Sequence, residues 1–420
     1  MRQSSRSPLL LMALTVFIDL TGFSIILPLL PFWAEKFGAN SLQVGLIITV
    51  YALAQFLFTP LLGALSDRYG RRPIIIWSLL IEAAAFALTA LAGTLPMLFA
   101  ARFIGGLGAS NIGSAQAVVA DVTPPEGRAR GMGLIGAAIG MGFVVGPAIG
   151  GVLAGHGSGL PFWIAMGIAL VNALLVLSLL PETHVRRKAP AFATTHNQHQ
   201  VAFLGGWQRA LRSPVVARLI AITLIFTLAF TAMEAVFPLF TQKMFGWTAM
   251  QNGYIFTFVG VVVMVMQGGL VGRLVKRFGE RNVLISGLVM LAVGLLLLPF
   301  SSTLAVLLVA LAILSAGDGM VTPTNSALLS LASPADAQGE TLGVAQGVGG
   351  LGRILGPIGA GALFSMGIGA PFVAGGALAL LALLLVARKL ELPSTGTTPV
   401  EAAENTDSQS ETLAIASQSR

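Results

Sequence analysis

Six ionisable side chains sit inside long apolar runs: Asp19, Glu82, Arg102, Glu234, Asp318 and Arg353. Each costs roughly 2.5 to 3.5 kcal/mol at the centre of a membrane helix, so a purely structural chain seldom carries six. A carboxyl withdrawn from water holds its proton more tightly, and a neighbouring arginine opposes that effect. A site of this kind can load and release a proton, and an organic cation can compete for it. Asp19 is the first candidate for that role, with Glu234 and Glu82 next. Arg102 does not titrate and is expected to orient the site or support its acid form. Two structural readings stand beside the chemical one. Glu82 can be a packing acid bonded to a neighbouring helix, and Asp318 with Arg353 can be an ion pair between adjacent helices. Phe23, Phe32, Trp33, Phe226, Phe230 and Phe237 can line a cavity for a lipophilic molecule, although most such aromatics face lipid.

The elements that must position these groups are membrane helices. Charged residues make up 10% of the chain, against about 25% in soluble domains, and the mean hydropathy is +0.86. Six apolar runs fall near 9–33, 42–65, 73–93, 95–119, 131–154 and 160–181, and six more near 214–240, 251–272, 282–300, 303–327, 341–364 and 369–390. Each is long enough to cross a bilayer as a helix. Asp19 then lies about ten residues, some 15 Å, from the inner end of the first helix. Arg102 and Glu234 fall in outer halves of their helices, and Asp318 and Arg353 in inner-to-middle positions. With the N-terminus inside, external loops hold only Lys36 and Lys243 among the basic residues, and nearly all other Lys and Arg fall on the cytoplasmic side. Both termini are therefore expected in the cytoplasm, in a plasma (inner) membrane. Arg2 and Arg6 precede a run too long for a signal-peptide core, which predicts an uncleaved first span.

The polar segments complete the layout. Residues 1–181 are expected to form one six-helix bundle, 182–213 a cytoplasmic linker, 214–391 a second bundle, and 392–420 a polar tail unable to build a core. The net charge of +7 follows from topology, so no nucleic-acid partner is implied. There is no cysteine, which excludes disulfides, thiol catalysis and thiolate metal sites. His156, His184, His196 and His199 all lie outside the apolar runs, and His196 and His199 have no carboxylate beside them. No metal, no cofactor and no enzymatic activity are expected.

The two halves repeat each other with an offset near 210 residues. Pro28 answers to Pro238, Pro124 to Pro334, and Gly146-Pro147 to Gly356-Pro357. The charged stretch Gly63 to Arg72, between the second and third runs, is echoed by Gly272 to Arg281, where Lys276 replaces Asp67. An even-numbered unit repeated in this way gives two bundles related by an axis along the membrane normal, facing each other across a cavity. Topology explains Arg68 and Arg72 but leaves Asp67 without a reason, since acids do not set orientation. The free amides at the start of the eleventh helix, near Glu340, can hold such a carboxylate. Gly142, Gly146, Gly150 and Gly151 leave a bare stripe on the fifth helix, where another helix can approach closely, and Pro147 weakens the backbone ladder there.

Four motifs together carry a resemblance to the major facilitator superfamily, and within it to the twelve-helix drug/proton antiporters that include the tetracycline exporters. Asp19, Gly22, Pro28 and Pro31 fit DxxGxxxxxPxLP; Gly63, Asp67, Arg68, Gly70, Arg71 and Arg72 fit GxLxDRxGRR. Arg102 to Gly108 resembles RxxxGxG, and Gly142 to Gly151 fits GxxxGPxxGG, which in the family marks antiporters. The resemblance implies an all-α membrane fold of twelve helices in two pseudo-symmetric six-helix bundles. It also implies a cytoplasmic latch made by Asp67, Arg71 and Asp121, one-sided because the second copy lacks the acid. The function implied is proton-coupled export of a lipophilic, cationic or zwitterionic small molecule by alternating access, by a monomer in the bilayer. A porter for a sugar or other metabolite is the alternative. The tetracycline exporters carry a functional acid in their ninth helix, whereas 282–300 here has none, which argues against tetracycline itself.

Overall fold

The structure is a computed structural model of the chain; it describes residues 6–109, 112–123, 128–157, 159–183, 212–334 and 337–387. Among the described residues, twelve helices are long and apolar enough to cross a membrane. In chain order these spans are Pro8–Ile26, Ser41–Tyr69, Arg71–Ala90, Leu95–Val119, Gly131–Ala154 and Leu160–Leu179, then Pro214–Phe245, Ala249–Phe278, Glu280–Phe300, Leu304–Leu331, Gln338–Met366 and Ala370–Ala387. They are called spans 1 to 12 below. Almost all of the expected linker, and all of the expected tail, lie outside the described residues.

Among the described residues, two spans depart from single straight helices. The first run, expected to continue to residue 33, breaks after Ile26 and restarts as a short helix Leu30–Glu35. Pro28 has no amide to donate, and Leu27 and Leu29 bond carbonyls only three residues back, Ser24 and Ile26. In span 4 the described helices are Leu95–Gly108 and Ile112–Val122. Span 8 passes through a π-helical turn, Met266–Leu270, which holds Gly268 and Gly269.

Helix starts and stops repeat between the halves. The Asn40 side chain accepts from the Gln43 amide at 2.9 Å, and Gln43 accepts in return from the Asn40 amide at 2.9 Å, opening span 2. Span 8 opens on the matching Gln251, which accepts from the Thr248 amide at 2.9 Å. Gly70 and Gly279 separate spans 2 and 3 and spans 8 and 9, with φ of +108° and +78°, a region where side chains are disfavoured. Arg72 donates to the Leu177 carbonyl at the end of span 6; Arg281 donates to the Val386 and Ala387 carbonyls at the end of span 12, at 3.3 and 3.1 Å.

Spans 1 to 6 pack as one bundle and spans 7 to 12 as another, with corresponding partners: 1 on 5 and 6, 3 on 4 and 6; 7 on 11 and 12, 9 on 10 and 12. The halves meet through span 2 against span 11 and span 5 against span 8. Large apolar side chains such as Trp77, Leu91, Leu174, Leu179, Val265 and Leu384 are exposed around the outside, as lipid contact requires.

Both inter-half pairs are in contact at one end and apart at the other. The Ser41 hydroxyl donates to the Gly361 carbonyl at 3.0 Å and the Thr49 hydroxyl to the Ile354 carbonyl at 2.8 Å. Gly45 lies against the Pro357 carbonyl, and a methyl on Gly350 would sit 2.8 Å from the Phe56 ring. One step further along the same register, Gly63 and Gly343 both face open space. The other pair behaves identically: Gly253 lies against Gly151 and the Pro147 carbonyl, Gly260 against Phe143 and Val144, whereas Gly136 and Gly268 meet nothing.

The core has the same shape. At the end bearing Lys36 and Lys243, one apolar cluster runs through both halves, from Ile25, Val44, Phe86 and Leu98 to Phe237, Phe240, Leu311 and Phe372. At the end bearing Arg68, Arg72, Arg277 and Arg281, the halves keep separate cores, one around Val16, Leu79 and Val118 and one around Leu219, Leu328 and Val386. The molecule is sealed at its sparsely charged end and parted at its basic end.

Candidate functional site

The N-terminal cluster is assembled by glycines. On span 4, Gly105, Gly106 and Gly108 follow Arg102 at helical spacing. Gly105 lets the Tyr51 ring of span 2 approach, with a methyl there only 3.5 Å from it, and a methyl on Gly106 would collide with the Tyr51 carbonyl. A methyl on Gly108 would lie 2.8 Å from the Glu82 amide of span 3. The RFIGGLG stretch thus pulls spans 2 and 3 onto span 4, and Arg102 enters the same volume as Tyr51 and Glu82. From span 1, Asp19 joins them, its carboxyl within electrostatic reach of the Glu82 carboxyl.

All of these groups are withdrawn from solvent: Asp19 is 8% exposed, Glu82 1% and Arg102 2%. The Arg102 guanidinium reaches the Thr89 hydroxyl at 3.4 Å and lies 5.5 Å from the centre of the Tyr51 ring. No carboxylate pairs with it within 4 Å among the described residues, although Glu82 is within its electrostatic reach. Arg102 Nε and Glu82 Oε2 are buried without a hydrogen-bond partner there. Phe23 stacks on Tyr51 at 5.2 Å and meets Phe143 edge-on at 6.2 Å, closing the cluster on its apolar side.

The C-terminal cluster is more open. Glu234 on span 7 and Asp318 on span 10 are half-buried, and Arg353 on span 11 is exposed. Glu234 interacts electrostatically with Arg353 and with Asp318. The expected ion pair between Asp318 and Arg353 is absent among the described residues, where Arg71 makes both of the close ion pairs. The reason is packing: Gly352 and Gly356 press span 11 onto Thr227, Leu228 and Thr231 of span 7, and the Thr231 hydroxyl donates to the Gly352 carbonyl at 3.2 Å. Arg353 therefore belongs with Glu234 of span 7. Phe226 and Phe230, two turns and one turn before Glu234 on the same helix, are partly exposed and stacked at 6.2 Å. Phe237, expected beside a cavity, is 1% exposed and part of the sealed core. Trp33 likewise packs at that end, its indole donating to the Thr89 carbonyl at 3.1 Å.

At the basic end, Arg71 joins both expected acids, Asp67 at 2.6 Å and Asp121 at 3.3 Å. The Asp67 side chain is 62% exposed, and among the described residues its ion pair is with Arg71 and not with the start of span 11. Sequence reasoning missed Glu182. Its carboxylate accepts from the Arg71 amide at 2.9 Å and the Arg72 amide at 3.2 Å, capping span 3 from the end of span 6. Gly70 is required there twice, by its φ and because a methyl would press within 2.5 Å of that carboxylate. The signal was present: Glu182 is an acid directly after the sixth apolar run.

The stripe on span 5 has two faces. Gly142, Gly146 and Gly150 pack on Leu20, Thr21, Ser24 and Ile25 of span 1, and the Ser24 hydroxyl donates to the Gly142 carbonyl at 2.8 Å. Pro147 and Gly151 meet span 8 of the other half. Span 11 repeats the arrangement, with Gly356 on span 7 and Pro357 with Gly361 on span 2.

The Major Facilitator Superfamily model matches residues 12–277 and 268–417. The chain belongs to this superfamily. Within it, this transporter is 32% identical over 357 residues to the tetracycline resistance protein, class C, of Escherichia coli, covering 84% of this chain and 89% of that one. It is also 32% identical over 375 residues to multidrug resistance protein 2 of Bacillus subtilis, covering 86% and 90%. Among solved structures, the human organic anion transporter MFSD10 (TETRAN) superposes with a TM-score of 0.69 at 26% identity, over 92% of this chain and 100% of that one. A point mutant of the nucleoside transporter NupG superposes with a TM-score of 0.74 over 90% of this chain and 98% of that one, and at 13% identity it speaks for the fold alone. Superfamily membership, the twelve-helix fold and the likeness to resistance exporters are thus as the motifs implied.

Proposed function

We propose that this transporter exports a lipophilic, cationic or zwitterionic small molecule in exchange for protons, by alternating access of its two halves. The observation that carries the reading is the joint burial of the Asp19 and Glu82 carboxyls beside Arg102 in the N-terminal bundle. Two carboxyls brought together out of water disfavour a doubly ionised pair, because like charges repel and burial penalises each charge. The pair is a one-proton store, and Arg102 is the fixed positive charge against which that proton is held or lost. Protons entering from outside can drive export because each charge crossing the membrane contributes about 2.3 kcal/mol per 100 mV.

Glu234, Asp318 and Arg353 are the proposed recognition charges for the substrate, because they are accessible where the halves part. The partly exposed Phe226 and Phe230 give an aromatic surface beside them, suited to a cation or a flat apolar body. In the orientation proposed, the basic end and both termini are cytoplasmic in the inner membrane, the unit is a monomer, and residues 1–181 and 214–391 are the bundles that rock. Asp67, Arg71 and Asp121 act as the latch when the basic end closes. A second reading, a substrate carrying an anionic group, is favoured by the exposed Arg353.

The test is efflux in inverted vesicles under an imposed pH gradient, with a panel of fluorescent cations, zwitterions, anions and sugars as competitors. Gradient-dependent uptake of cations, lost in Asp19→Asn at normal membrane abundance, is the expected result. Competition by sugars alone, or full activity of Asp19→Asn, would remove the proposal.

A further inference from the structure

A buried guanidinium needs compensation, and Arg102 has little of the ordinary kind. It has one long hydrogen bond, to the Thr89 hydroxyl at 3.4 Å, and its Nε has no partner among the described residues. The other group against it is the face of Tyr51, 5.5 Å away. In a site this buried, an aromatic face contributes on the order of 2 kcal/mol to holding a cation. The ring is packed in place: Phe23 stacks on it at 5.2 Å, and the glycines of span 4 fit against its edge and its backbone.

We infer that Tyr51 is a positioning residue of the proton site: its ring, rather than its hydroxyl, holds Arg102 at a set distance from the Asp19–Glu82 pair. The inference rests on the proton-coupling reading above and adds a residue that reading does not use. It also gives that residue a physical task. Without the ring, Arg102 would be free to swing onto the carboxylates and form an ion pair, or to withdraw from them, and either movement changes the affinity of the pair for its proton.

The charged and titratable groups around the site are few. Span 1 contributes Asp19, span 2 Tyr51, span 3 Glu82 and span 4 Arg102, while spans 5 and 6 contain no titratable residue between Gly131 and Ala154 or between Leu160 and Leu179. Across the interface, span 11 carries Glu340 and Arg353, and span 7 carries Arg218, Glu234 and Lys243. The charges acting on Glu82 and Arg102 come from within the N-terminal set.

The test replaces Tyr51 in the full-length protein by phenylalanine and then by phenylalanines with one, two and three ring fluorines, which drain the negative face while keeping the shape. The readout is the pH midpoint of binding of a fluorescent lipophilic cation in detergent. Tyr51→Phe is expected to keep the wild-type midpoint, and the fluorinated series to move it progressively, by about half a unit or more in total. Tyr51→Leu, checked for folding by its thermal transition, is expected to move it further. A midpoint that stays constant through the fluorinated series, in a protein whose wild type titrates, overturns the role of the ring. A shift in Tyr51→Phe as large as in Tyr51→Leu overturns it in favour of the hydroxyl. Wild-type binding with no pH dependence overturns the proton-coupling reading and this inference with it.

Discussion

In the N-terminal half Asp19, Glu82 and Arg102 are at most 8% exposed and are packed by the Phe23 and Tyr51 rings. In the C-terminal half Arg353 is exposed, and Glu234 and Asp318 are half-buried. The helices around the two clusters pack with the same partners, so the difference comes from side chains and not from architecture. A shielded carboxyl pair suits a small, hard-won ligand such as a proton, because low dielectric strengthens every interaction with it. An accessible set suits an organic molecule, which must reach the charges and leave them again. Under the proposed function the duplicated scaffold carries two unlike tasks, one assigned to each half.

The largest expected effect separates these tasks at the buried pair. Asp19→Asn should reduce gradient-driven efflux to background while substrate binding persists, measured by vesicle transport beside equilibrium binding. Loss of binding with coupling intact would reverse the assignment. Next come the glycines that join the halves. Gly45→Val and Gly253→Val each put a side chain into backbone of the opposite half, and overpacking of this kind costs about 1–3 kcal/mol. Both should disfavour the sealed end by similar amounts. The chain has no cysteine, so crosslinking of a Thr49→Cys, Ile354→Cys pair reports the seal without background, and its yield should fall in both variants.

A smaller effect is expected in the accessible cluster. Glu234→Gln should weaken binding of a cationic substrate about tenfold, close to 1.4 kcal/mol, with the pH midpoint of binding unchanged. A shifted midpoint at normal affinity would place Glu234 with the proton instead. The smallest effect tests the symmetry itself. Arg72→Ala and Arg281→Ala each remove a guanidinium from the carbonyls ending spans 6 and 12, and each should cost about 1 kcal/mol of stability, read as similar falls in melting temperature. Strongly unequal falls would show that the two turns are not equivalent supports.

The spans were legible because their signal is local: about 20 apolar residues in a row need no knowledge of neighbours. The breaks at Pro28 and in the π turn of span 8 were not. A proline in a membrane helix can be absorbed by its surroundings, and Gly268 with Gly269 looks like any small-residue pair. The repeat offset pointed to Pro147 and Pro357 as counterparts, and they are: each presents its carbonyl to a glycine across the interface, Gly253 and Gly45. The candidate charges were visible as charges in apolar runs, but their grouping was not. Asp318 and Arg353 lie on adjacent helices and looked like partners, yet glycine contacts turn Arg353 toward span 7. Tyr51 escaped notice because its relation to Arg102 depends on how spans 2 and 4 are rotated about their axes, which no single stretch encodes.

The split cores carry an energetic consequence. Opening the sealed end must wet an apolar interface shared by Ile25, Val44, Phe237 and Phe364, and the recompense waits at the far end, where Gly63 can meet Gly343 and Gly136 can meet Gly268 by the same register. A seesaw with such similar arms tilts on a small difference between large quantities. Reversing a 1:99 tilt to 99:1 takes about 5.5 kcal/mol of differential binding, so under the proposed exchange the proton and the cargo need supply no more than that surplus.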